Sequence, residues 1–180
     1  YNTAQAVKEI IQRYNELQDI IATHYRHTQQ WEKAYEIYRK EGQLEKQIAL
    51  LEEAGVAMMF AGQINLLKKW LDNIPEQIIY SRPALCSLMG TILSAIGELS
   101  NSLDYLSKAL ENNDEKQKPL ITARTLIRKA TTLRSIGYYE DALDCAFKSL
   151  EIINNDLSTR DLRAEANRII GTCYSEMGKP

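Results

Sequence analysis

The sequence is short of nearly every residue arrangement that would announce chemistry. Its 180 residues hold two histidines and three cysteines, with no CxxC pair. His24 and His27 stand three apart, but no cysteine or acidic ligand lies close in sequence to complete a tetrahedral set, so no metal site is expected. Cys86, Cys145 and Cys173 lie far apart in apolar, helical stretches, where a reduced thiol packs as a small hydrophobe. Three unclustered thiols suit a reducing compartment better than a disulfide scaffold. No segment approaches the roughly 18 uninterrupted apolar residues that span a bilayer, and no charged-then-apolar leader opens the chain. The expectation is a cytoplasmic protein without a membrane partner.

An excess of charge of one sign is missing too. With 22 basic against 24 acidic residues the formal net charge is -2, so nonspecific attraction to nucleic acid is weak and no direct nucleic-acid binding is expected. Acidic pairs such as Glu52 with Glu53, and Asp141 with Asp144, have no nucleophile and histidine beside them and fit solvated helix faces. Neither a catalytic residue nor a cofactor is expected, and the chain is taken as a non-enzyme. Period-two alternation long enough for a strand is absent. At 44% hydrophobic and 26% charged, however, the chain has ample material for a continuous core, which excludes disorder of the whole.

What the sequence does contain is a repeat. Three segments align: PALCSLMGTILSAIGELSNSLDYLSKAL (83 to 110), ARTLIRKATTLRSIGYYEDALDCAFKSL (123 to 150) and AEANRIIGTCYSEMG (164 to 178). Gly97, Gly137 and Gly178 recur at spacings of 40 and 41, and Gly90, Ala130 and Gly171 stand seven before each. A further unit has Gly55 and Gly62 seven apart, with Leu67 and Leu71 on its second helix. In the earliest unit Gln29 occupies the place of the glycine. The pattern predicts antiparallel helix pairs, the small residue permitting close helix approach and the glycine ending the first helix in a left-handed conformation. Neither helix can bury its apolar stripe alone, so neighbouring pairs stack. Eight or nine helices are expected, with a connector between Pro75 and Pro83.

The order of small residue, large residue and glycine resembles the tetratricopeptide repeat, with Gly171, Tyr174 and Ala142 at matching places, although the period exceeds 34. That resemblance implies an all-α fold, a right-handed α-α superhelix of tetratricopeptide-like helix pairs. Along nearly the whole chain, and most specifically in LLKKWLDNIPEQIIYSRPAL, the sequence also resembles the helical-repeat region of the maltotriose-responsive activator class of signal-transduction ATPases. Residues 6–14, AVKEIIQRY, are similar to the end of the winged-helix module that precedes the repeats there. The implied division is 1–14, the end of that module, and 15–180, the repeat domain, cut short at its C-terminus. The chain starts without methionine and stops in mid-repeat, as a piece of a longer protein would. By this resemblance the parent is a bacterial transcriptional regulator carrying an ATPase module before this piece and, commonly, a LuxR-type DNA-binding module after it. The repeats would sense an inducer or bind a partner and control self-association of the full-length protein. Neither a phosphate loop nor a helix-turn-helix occurs within these residues.

In tetratricopeptide arrays the first helix of each pair lines the concave groove at its second, fifth, ninth and twelfth residues. Carried to this register, the polar groove positions are Ser87, Thr91 and Ser94; Arg124, Thr131 and Arg134; Arg168, Thr172 and Ser175, interspersed with Ala84, Ile127 and Glu165. A basic run of Lys116, Lys118, Arg124, Arg128, Lys129 and Arg134 has no acid between Glu115 and Glu140. Guanidinium groups gathered on one face suit carboxylate or phosphate recognition. A protein or peptide, or a small inducer, is therefore the expected partner. The alternatives are a stand-alone peptide-binding scaffold and a sensor of a sugar or other small metabolite.

Overall fold

The computed structural model describes residues 3–114, 118–153 and 157–179, so Lys116 of the basic run, and Glu115 that bounds it, lie outside the described residues. Among the described residues there are ten α-helices, one 3₁₀ turn and no strand. They are α1 (Thr3–His27), α2 (Trp31–Lys40), α3 (Leu44–Phe60), α4 (Ile64–Leu71), α5 (Glu76–Ser81), α6 (Pro83–Ala95), α7 (Leu99–Glu111), α8 (Pro119–Ser135), α9 (Tyr139–Ile152), the turn Leu157–Thr159, and α10 (Arg160–Glu176). The segment expected as a connector between Pro75 and Pro83 is itself the short helix α5. Pro75 starts it, Ile79 buries to 2% exposure, and Pro83 opens α6. No helix among the described residues is long and apolar enough to cross a membrane.

The helix ends explain the glycine spacing. At Gly97, φ is +87°, a conformation in which an L side chain crowds its own backbone. There the Glu98 N–H donates to Leu93 O at 2.9 Å and the Gly97 N–H to Ser94 O at 3.1 Å, so two last-turn carbonyls that would otherwise lack partners are satisfied. Gln29 takes the same conformation, φ +56°, with Gln30 donating to Tyr25 O at 2.8 Å. The residue that broke the glycine pattern therefore does the glycine's job.

The chain divides into two compact units, residues 1–63 and 64–180. In the first, α1 packs on α2 and α2 on α3 around Ala22, Ala34, Tyr35, Leu50, Leu51 and Ala54, none more than 1% exposed. Lys46 pairs with Asp19 at 2.6 Å and Arg26 with Glu53, tying α1 to α3. The boundary expected after Tyr14 falls inside the unbroken α1. The helix pair expected around Gly62 straddles the division, with α3 in one unit and α4 in the other.

In the second unit the pairs α6/α7 and α8/α9, followed by α10, pack in succession. Gly90 is essential to the first pair: a Cβ there would lie 2.7 Å from Leu106 Cγ and 3.1 Å from Ser102 O. Ala130 fills the equivalent place in α8 with no exposure, whereas Gly171 in α10 meets nothing within 4 Å. The same sequence position is thus a tight crossing in one helix and open surface in another. The three cysteines are free; Cys86 and Cys173 are buried and Cys145 half-buried. Burial pushes the Cys86 thiol up to about 11, partly offset by Lys108, so it is neutral at physiological pH.

Candidate interaction face

The first helices of three successive units, α6, α8 and α10, stand in one row joined by polar contacts. Arg128 on α8 donates through Nη1 to Ser87 Oγ on α6 at 2.9 Å, and Thr125 Oγ1 donates to the same oxygen at 2.9 Å. Thr132 Oγ1 donates to Ser94 Oγ at 3.0 Å, again from α8 to α6. At the other edge Arg134 Nη1 donates to Glu176 Oε1 of α10 at 2.9 Å. Behind the row, the second helices hold it in place. Ser149 of α9 donates to Ala123 O at 3.1 Å, and Lys129 donates to Ser107 of α7 at 2.9 Å.

Each residue picked from the repeat register can now be placed. Ser87 is 2% exposed and lies between α6 and α8, so it supports the face without lining it. Ser94 is half-buried for the same reason. Thr91, Thr131 and Thr172, the recurrent ninth-position threonines, are half-buried, and each spends its hydroxyl proton on the carbonyl four residues back. The acceptors are Ser87 O at 2.7 Å, Ile127 O at 3.0 Å and Arg168 O at 2.8 Å. What these threonines offer outward is a methyl group and a lone pair, not a donor. Arg124, Arg168 and Ser175 are exposed, and Ile127 is core at 1% exposure. Arg134 is the least available of the three arginines. One of its nitrogens is held by Glu176, while its Nε is buried with no hydrogen-bond partner among the described residues.

The residue the register passes over is Arg128. It is half-buried, one turn beyond Arg124, and its guanidinium meets the neutral Ser87 hydroxyl, with no ion-pair partner within salt-bridge distance among the described residues. Loss of water around it, reinforced by the like charge of Arg124 and opposed by Glu165, pulls its pKa down to about 10. It stays protonated at neutral pH, but as a charge whose surroundings supply less compensation than water would. The sequence does carry a signal for it: basic residues four apart, Arg124 and Arg128, share one helix face. Selecting only the second, fifth, ninth and twelfth helix positions hides it.

Elsewhere in this unit an open cavity of about 360 Å³ is lined by Lys68, Asp72, Glu76, Tyr80, Tyr105 and Lys108, among others. Several of its charged groups have partners within it, while Glu98 and Asp104 also line it. Lys68 pairs with Asp72 at 2.6 Å, Tyr105 Oη donates to Glu76 Oε1 at 3.2 Å, and the Lys108 ammonium sits 3.8 Å from the centre of the Tyr80 ring. The hydrogen bonds from Tyr80 and Tyr105 hold Glu76 below the usual carboxylate range, and burial raises Tyr105. His24 and His27 lie exposed at the end of α1. Among the described residues no group of three His, Cys, Asp or Glu side chains converges as a metal site.

No protein-family model matches the chain, and no curated protein matches it in sequence. Solved structures do. The crystal structure of MamA protein superposes with a TM-score of 0.66 at 17% identity, over 92% of this chain and 83% of that one. MamA MSR-1 C2 gives 0.61 at 16% identity, over 92% and 88%. The Cut9–Hcn1 hetero-tetramer of the APC/C gives 0.57 at 17% identity, over 82% of this chain and 30% of that one. MamA and Cut9 are tetratricopeptide-repeat proteins, and the all-α helix-pair architecture of this chain is theirs.

Proposed function

We propose that this chain is a protein-interaction segment that holds an acidic peptide, or an acidic stretch of a partner protein, on the α6/α8/α10 face. The observation that carries the reading is Arg128, a half-buried guanidinium beside Arg124 whose direct partner is a neutral hydroxyl. Burying a cation without a direct ion-pair partner costs free energy, and an anionic ligand at this position would offset that cost. A carboxylate reaching Arg128 would gain a charge-assisted bond, and the exposed Arg124 and Arg168 would draw further acidic side chains by longer-range attraction. Because the threonines of the face donate to their own helices, the arginines carry the recognition. Arg134 contributes less, since a ligand must compete with Glu176 for it.

The wider setting rests on the sequence resemblance alone: the segment belongs to a bacterial, LuxR-type transcriptional regulator with a signal-transduction ATPase module, in the cytoplasm. Residues 1–14 would then be the end of its winged-helix module. In that setting, occupancy of the face would report an inducer or partner to the rest of the protein.

A panel of acidic, neutral and basic peptides, titrated against the chain by fluorescence anisotropy, tests the binding reading. Acidic peptides should bind, more weakly as salt rises, and the Arg124→Ala, Arg168→Ala double variant should bind them at least ~10-fold less tightly, about 1.4 kcal/mol. Preference for basic peptides, or equal affinity in the double variant, would refute the assignment.

A further inference from the structure

We propose that a cavity between α7, α8 and α9 binds a free α-amino acid with an apolar side chain. The cavity measures about 290 Å³ and sits where the ends of α7 and α9 meet the first half of α8. Ligand sites usually run from ~300 to 1,000 Å³, so this one suits a molecule of few heavy atoms. Leu110, Leu126 and Ile152 give it an apolar lining, and Asn113, Thr122, Lys148 and Glu151 a polar one. Asn113 carries the observation that calls for a ligand. Its Nδ2 donates to Thr122 Oγ1 at 2.6 Å and to Lys118 O at 3.3 Å. A backbone carbonyl only accepts, so the amide nitrogen must face Lys118 and the sense of the amide is fixed. Oδ1 is left buried with no hydrogen-bond partner among the described residues. A buried acceptor without a donor costs free energy, and an N–H group brought by a ligand recovers it.

Lys148 and Glu151 add opposite charges three residues apart on α9, both exposed. Glu36 and Arg39, at the same spacing on α2, close on each other at 2.8 Å. Lys148 and Glu151 do not, and neither has another ion-pair partner among the described residues. Their order gives the reason, since a basic residue ahead of an acidic one pairs less well along a helix. The cavity thus presents an open cation, an open anion, an unused acceptor and an apolar lining together. An α-amino acid answers all four. Its carboxylate meets the Lys148 ammonium, its own ammonium is directed to Glu151 and Asn113 Oδ1, and its side chain lies against Leu110, Leu126 and Ile152. A phosphorylated ligand would need more positive charge than Lys148 alone offers, and a simple amine would leave Lys148 unanswered. None of these lining residues belongs to the α6/α8/α10 face, so the inference does not rest on acidic-peptide binding there.

Isothermal titration calorimetry of the 180-residue chain tests the inference, with L-leucine as the probe and two of its derivatives as controls. L-Leucine should bind. N-Acetyl-L-leucine and L-leucinamide, each lacking one of the two charges, should bind at least ~10-fold less tightly. Lys148→Gln should weaken L-leucine by a similar factor and leave L-leucinamide, which has no carboxylate, unchanged. Glu151→Gln should weaken L-leucine and leave N-acetyl-L-leucine, which has no ammonium, unchanged. Both side chains are exposed, so the melting temperature should hold in each variant, and the crossed pattern cannot come from general unfolding. Absence of L-leucine binding at millimolar concentration would overturn the inference, as would binding indifferent to both substitutions. Tighter binding of L-lysine or L-glutamate than of L-leucine would refute the apolar lining as the seat of the side chain.

Discussion

Six residues among those described hold positive φ, and five of them are glycines; the sixth is Gln29. The difference predicts opposite responses to substitution at equivalent turns. Gly97→Ala should cost about 1 kcal/mol, because an L side chain is forced into the left-handed region. Gln29→Gly should stabilise by roughly 0.5 kcal/mol, the relief of that strain exceeding the added chain entropy. Urea denaturation midpoints of the two variants would show both signs. A second contrast concerns the small residue seven before the glycine. Gly90→Ala drives a methyl group into Leu106 and should cost about 1–3 kcal/mol. Gly171→Ala, on an open helix face, should stabilise by up to about 1 kcal/mol through helix propensity. A thermal-melt series in which both alanines destabilise alike would mean that α10 is covered on that face.

At the scale of elements, the helix pairs were legible in the sequence because their punctuation is local. Glycine at the end of the first helix and a small residue two turns earlier are both dictated by backbone and steric demands within one unit. What the spacing did not disclose depends on contacts between units. Ser87 and Ser94 have the look of surface groove positions, but α8 crosses α6 closely enough to bury one and half-bury the other. The Arg134 to Glu176 pair joins residues 42 apart and leaves no trace in local pattern. The α5 helix was hidden because its six residues are too few for a period to register. The buried hydroxyls offer a test of these contacts. Thr132 has no exposure, donates to Ser94, and lies 3.3 Å from Ser102 Oγ. Thr132→Val should therefore lower stability by about 1–2 kcal/mol, since it strands two hydroxyls between helices. Thr172→Val, which breaks only a bond to its own helix near the surface, should be close to neutral. Equal effects in chemical denaturation would mean that the seam between α6, α7 and α8 contributes no specific hydrogen bonding.

At the scale of the whole molecule, the two compact units carry different surfaces. The first bears exposed apolar side chains along α1, and the second bears the polar row of α6, α8 and α10. The proposed interaction face depends most on a single charge, and Arg128→Met addresses it directly. The substitution keeps the length and packing of the stem while removing a poorly compensated buried charge. The expected result is a melting temperature that holds or rises, together with at least ~10-fold weaker binding of an acidic peptide. A clear fall in melting temperature with peptide affinity unchanged would contradict the account, because Arg128 would then be a structural residue and the face would have no anchor.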